Sequence, residues 1–186
     1  MTARKNLILT PAPASTAEVS LLLAVLHEAR QRTLNTVGRI SDLDAIKVGH
    51  HNAGTLLYHI ALVELDWLYT DVLEKSEDDL PAEARDWFLL DARDKDRHPS
   101  VVVGKDGHLS VVTGEPLERH LARLNWMRGL LDSVFEPMTL DDLRRPRVLE
   151  RYDVTPEWVL MHLALHEAHH EGQLALLESP PQPSSA

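Results

Sequence analysis

Four stretches of this chain repeat their apolar residues at the spacing of an α-helix, and each is bounded by residues that start or stop one. In the first, Ser15 is followed three residues later by Glu18, the pattern in which a hydroxyl and a carboxylate satisfy the free amides of a first turn. Val19, Leu22, Leu23, Leu26 and Leu34 continue it to an end near Gly38. The second begins at Asn52 as N-cap and runs to about Glu74, with Thr55, Leu56, His59, Leu62, Val63 and Asp66 along one stripe. Glu115 before Pro116 starts the third, because a proline at the first helical position loses no hydrogen bond; Leu117, Leu121, Leu124, Met127 and Leu131 follow, and Pro137 stops it. Thr155 before Pro156 starts the fourth in the same way, and it runs through Leu177 until Ser179, Pro180 and Pro181 end it.

The second and third stretches are separated by about forty residues, long for a loop without structure. Within them the pattern predicts a short helix over residues 83–90. It also predicts a hairpin in which residues 101–103 and 109–112 flank Gly104-Lys105-Asp106-Gly107. Four long helices with one long crossover between the second and third describe an all-α four-helix bundle. The 186 residues suit one domain, expected over residues 15–178, after a lead of residues 1–14 and before a disordered tail of residues 179–186.

Composition narrows the partners. Lys and Arg total 19 against 29 Asp and Glu, a net charge of -10, so a nucleic-acid backbone would be repelled by most of this surface. Arg4 and Lys5 lead only into Leu7, Ile8 and Leu9 before Thr10 and Pro11, too short an apolar run for a secretory signal, and Leu21–Leu26 is far too short to span a bilayer. A cytoplasmic location without nucleic-acid or membrane partners is expected. The amphipathic first stretch offers a face on which a second copy could pair to give a homodimer. With no cysteine, any metal must be held by nitrogen and oxygen.

Eleven histidines is a high count, and His162, His166, His169 and His170 crowd into one part of the fourth stretch. Residues four apart on a helix differ by about 40° in direction and about 6 Å in height, so His162, His166 and His170 climb as a ladder, two adjacent rungs of which can share one metal. Val159, Leu163, Gln173 and Leu177 share their side, which turns the ladder toward the bundle interior. Buried histidines that satisfy one another by hydrogen bonds are the alternative, but several rings with partial charge in low dielectric are costly without a cation. One helix supplies a third ligand poorly, and His59, inward on the second stretch beside Leu56, Leu62 and Val63, can supply it; a lone inward histidine can equally be a core residue.

The segment His166-Glu167-Ala168-His169-His170-Glu171-Gly172-Gln173 resembles the closing helix motif of the DinB/YfiT-like superfamily, and Leu56-Leu57-Tyr58-His59-Ile60-Ala61 resembles its second-helix motif. The helix order and the long connection resemble the family across residues 15–178. The resemblance implies a four-helix bundle with a three-histidine metal centre on His59, His166 and His170. Where the family usually has arginine this chain has Glu171, so the role of that arginine does not carry over. His162 and His169 lie outside the motif, as groups behind the ligands or on the surface.

Three neutral imidazoles leave the ion's charge uncancelled and a coordination position open, which acidifies a bound water or thiol. Zinc fits first; nickel, iron or manganese could also bind, because imidazole selects weakly. Asp66, two turns beyond His59 and within about 20° of its direction, could orient a ligand or accept a proton, or be a carboxylate at a bundle end. Glu64 points far from the ligand face and is expected in solvent. Gln173 could donate a hydrogen bond behind His170, and Gly172 could permit close helix approach. Arg128 and His120, on the inward stripe of the third helix, could receive an anionic substrate group, or lie at its wet edges. The resemblance implies several activities. The first is a transferase joining a low-molecular-weight, bacillithiol-like thiol as cosubstrate to an electrophile; the second is a metal-dependent hydrolase. A third reading, a metal-binding stress-response protein without turnover, stays open because fold does not decide function.

Overall fold

A computed structural model of the chain describes residues 8–45, 51–88, 109 and 111–178. Four long helices dominate: α1 (Ala17–Val37), α2 (Ala53–Asp66), α4 (Leu117–Phe135) and α6 (Pro156–Ala175). Short pieces join them: α3 (Ala84–Trp87), α5 (Leu140–Arg144) and a two-residue antiparallel pair, β1 (Arg147–Val148) and β2 (Asp153–Val154). The architecture is all-α. Helix α1 lies against α6, and α2 packs on both α4 and α6. Leu23, Leu26, Leu57, Ile60, Leu124, Leu131, Leu160 and Leu163 fill the space between them with 1 % exposure or less. No helix among the described residues is long and apolar enough to cross a membrane.

The start signals act with small displacements. Thr16, not Ser15, caps α1, its hydroxyl accepting from the Val19 amide at 3.2 Å, while the Ser15 amide donates to the Glu136 carbonyl at the far end of α4. Asn52 and Thr155 cap α2 and α6 as their sequence positions suggest, and Pro156 occupies the first turn of α6. Pro116 is the cap of α4 rather than its first helical residue. Helix α2 gives way at Trp67 to wider π-helical turns (Trp67–Val72), and the chain leaves them through Glu74 at φ 54°, the left-handed region. The short helix expected over residues 83–90 is present as α3. Most of the hairpin expected at residues 101–112 lies outside the described residues, as does the tail from residue 179. The β1–β2 pair was not anticipated; Leu149 donating to the Tyr152 carbonyl at 3.0 Å closes its turn.

The centre of the bundle is ionic. Each long helix contributes one charged residue to a buried network: Arg30 from α1, Glu64 from α2, Arg128 from α4 and Glu167 from α6. Arg30 donates to Glu167 at 2.5 Å, to both Glu64 oxygens at 3.0 and 3.1 Å and to the Leu124 carbonyl at 2.8 Å. Arg128 donates through Nη2 to Glu64 at 2.8 Å and to Glu167 at 2.9 Å. Two expectations are corrected here. Glu64 is 1 % exposed rather than solvated, and Arg128, at 8 %, sits in the core rather than at a wet edge. Both are buried because each finds an opposite charge from another helix, the condition under which a charge can leave water. His120 is likewise buried, its Nδ1 3.1 Å from an Arg123 nitrogen. An added Cβ on Gly54 would stand 3.3 Å from both the His120 ring and the Val112 carbonyl, so the start of α2 packs tightly against α4 there.

Removing one member leaves its partners buried and unbalanced. Arg30→Met should destabilise the protein by about 3–5 kcal/mol in urea unfolding, whereas replacing all four charges by apolar residues of similar volume should cost much less. A single substitution that costs nothing would show the network to be incidental.

Candidate metal centre

Helices α2 and α6 bring three histidines together at their contact. The Nε2 atoms of His166 and His59 lie 3.2 Å apart, and those of His170 and His166 lie 3.1 Å apart. One ligand atom from each ring lies within 4.8 Å of the others, and among the described residues no carboxylate joins the group. The rings stand at angles to one another, with centroids 4.4 to 5.1 Å apart, so nitrogens rather than ring faces converge.

This convergence fits a cation better than it fits protons. The His170 Nδ1 is 2.7 Å from the Gln173 side-chain oxygen, and donating there leaves its Nε2 with a lone pair facing the other two rings. A proton on the His166 Nε2 could then bridge to His170, but that nitrogen would have no lone pair left for His59. The Nδ1 atoms of His59 and His166 are buried without a hydrogen-bond partner among the described residues. No distribution of protons over neutral rings therefore satisfies all three nitrogens, while one divalent cation accepts three lone pairs at once. Metal–nitrogen bonds of about 2.1 Å place neighbouring ligand atoms about 3.0–3.4 Å apart, which matches the 3.2 and 3.1 Å from His166 to His59 and His170.

Electrostatics keep the rings neutral. Burial, reinforced by the like charges of His170 and His51, pushes the His59 pKa down to about 4. Burial and the neighbouring His170 and His59 push His166 lower still, and burial lowers His170 against the opposing pull of its bond to Gln173. Neutral imidazole is the form that ligates metal.

The surroundings alter several expectations. The centre of the buried face of α6 runs through Leu160, Leu163, Glu167 and Leu174, so the ladder lies along its margin: His170 is buried, whereas His166 and His162 are half-buried. Gln173 accepts from His170 rather than donating. Gly172 is exposed and nothing stands within 4 Å of where its Cβ would be, so it permits no close approach. Glu171 accepts from the Thr36 hydroxyl at 2.5 Å and ties α6 to α1. Asp66 is half-buried and accepts from the Thr70 hydroxyl at 3.3 Å; it stands outside the histidine group, but its charge raises the Tyr152 pKa. His169 is exposed, its ring edge-on to His170 at 5.1 Å. His162 lies between two indoles, 4.6 Å from Trp67 and 4.8 Å from Trp158. His51 was not singled out in the sequence. It precedes the α2 cap and so shares no helical spacing with the ligands, yet its charge reaches both His59 and His170.

A family model described as the DinB superfamily matches residues 25–174, a span that contains all three histidines. No curated protein matches the chain.

Because burial lowers the proton affinity of all three rings, protons compete with metal less readily than at free histidines. Uptake of zinc by the metal-free protein should hold down to about pH 5.5 and be lost toward about pH 4; loss starting near pH 7 would contradict the burial described. Gln173→Ala should weaken metal affinity about 10–100-fold in competition with a chromogenic chelator.

Proposed function

This chain belongs to the DinB superfamily, and from that premise we propose that it is a metal-dependent enzyme that joins a low-molecular-weight thiol to an electrophile. The observation that carries the reading is the meeting of three neutral imidazole nitrogens from two helices, without a carboxylate among the described residues, at ligand spacing. His59, His166 and His170 would hold the ion. A divalent cation held by neutral ligands alone keeps its full charge and lowers the pKa of a coordinated thiol or water, raising the nucleophilic fraction at neutral pH. Zinc suits the nitrogen donors, and nickel, iron or manganese are the alternatives to be tested beside it.

In this reaction a carbon–sulfur bond forms, the leaving group departs with its electron pair and the thiol proton passes to a base. The chain has no cysteine, so the thiol comes with the cosubstrate. We assign the proton acceptor to Asp66, held by Thr70 on the turn that follows the His59 helix. The core network positions the ligands: Glu167, next to His166, is fixed by Arg30 and Arg128 from two other helices.

Protein loaded with each metal in turn, mixed with a small thiol and chlorodinitrobenzene, should show metal-dependent conjugation. Metal-dependent turnover of esters or amides alone would make it a hydrolase, and turnover of neither would leave a metal-binding protein without catalysis. His166→Ala should abolish metal uptake and turnover together while leaving the circular dichroism of the helices intact. Asp66→Asn should keep the metal but lower kcat about 10²–10⁴-fold; an unchanged kcat would remove Asp66 from the reaction.

A further inference from the structure

Beside the histidine centre the β1–β2 hairpin, the π-helical turns and the start of α6 enclose a cleft of about 490 Å3. That volume is typical of a small-molecule site. Its walls include Trp67, Tyr152 and Trp158, with Pro146, Val154 and Asp153. Trp158 is 43 % and Tyr152 47 % exposed, although both are large aromatic side chains that a core could have taken. The ring planes are only shallowly tilted: Trp67 meets Trp158 at 5.3 Å and 39°, and Tyr152 at 6.2 Å and 31°. Together they give the cleft an aromatic wall. That surface leads to the centre, because the His162 ring stacks on Trp158 at 9° and its centroid lies 6.1 Å from that of His166.

The one charged side chain among the residues lining the cleft, Asp153, is acidic. The Tyr152 hydroxyl donates to Asp71 at 2.6 Å. Burial, the hydrogen bond to Asp71 and the charge of Asp66 raise the Tyr152 pKa, so the hydroxyl stays protonated and adds no base of its own. Of the arginines nearest in sequence, Arg147 is engaged by Asp142 and the Val72 carbonyl and Arg145 by Glu74 and Asp142, while Arg151, next to Tyr152, is exposed and is not among the lining residues. Exposed aromatic rings beside a carboxylate attract planar rings and cations and disfavour anions.

We propose that this cleft binds a planar aromatic group, neutral or cationic, and is the subsite that holds the electrophile of the histidine centre. The assignment of the electrophile rests on the reading of that centre given above. Stacking on Trp158 and Trp67 supplies the affinity, and Asp153 with its acidic neighbours rejects negatively charged rings.

The indole N–H resonances of the full chain report binding directly, since Trp87 and Trp126 neighbour each other on α3 and α4 and serve as internal controls. Quinoline and 1-methylquinolinium should shift the signals of Trp67 and Trp158 and leave the other two in place, while 2-naphthoate at the same concentration should shift none. Trp158→Ala, at an exposed position, should weaken 1-methylquinolinium binding about tenfold or more, and Tyr152→Ala provides a second removal of the wall. Equal response to naphthoate, shifts spread over all four indoles, or unchanged affinity in both variants would overturn the cleft. Metal uptake is read separately: absence of ring binding in protein that takes up zinc overturns the cleft and leaves the centre standing, whereas ring binding in protein that takes up none supports the cleft and removes the centre.

Discussion

Four charges in the middle of the bundle govern how everything around them is arranged. Moving an ion out of water costs several kcal/mol, and only close opposite charges with good hydrogen bonds offset this. Arg30, Glu64, Arg128 and Glu167 form a set of zero net charge, each from a different long helix, although Arg128 bonds through Nη2 alone and its Nε and Nη1 have no hydrogen-bond partner among the described residues. Any three helices without the fourth would hold an uncompensated charge in low dielectric. The bundle therefore gains most when it closes as a whole, and the register of each helix is fixed at one point by a bond it cannot make in any other alignment.

That fixed register is what the histidines use. Glu167 precedes His170 by three residues and follows His166 directly, so pinning it to Arg30 and Arg128 sets the height and rotation of both rings on α6. Glu64 pins α2 in the same network five residues after His59. Polar groups thus act at two depths: a balanced set deep in the core locates the helices, and an unbalanced set of lone pairs at the margin is left in want of a cation.

Helical period made the four helices and the pairing of His166 with His170 legible, because each is a local property of consecutive residues. The cap residues Asn52 and Thr155 were equally readable. The ionic core was not, although Arg30 continues the stripe of Val19, Leu23 and Leu26, and Arg128 that of Leu124 and Leu131. A charged residue on an apolar stripe shows its reason only when its partner from another helix is known. Glu64 was harder still, since α2 is buried on nearly every side and such a helix has no polar face to give its direction. The β1–β2 pair is two residues long in each strand, below the length at which alternation carries a signal. The aromatic cleft draws on side chains from three separate elements, and no spacing in the chain announces their meeting.

The π-helical turns after Asp66 have a consequence for how such a protein can change. A π turn holds roughly one residue more than an α turn, so it behaves as a one-residue insertion absorbed within a helix. Deleting a residue within Trp67–Val72 would let these turns regularise to α turns and change which way the side chains within them face. His59 lies before that point and would not move. The part of the helix that bears the ligand and the part that shapes the neighbouring wall are thus separated by a joint, and insertions or deletions at that joint can vary specificity while the coordinating apparatus is inherited unchanged.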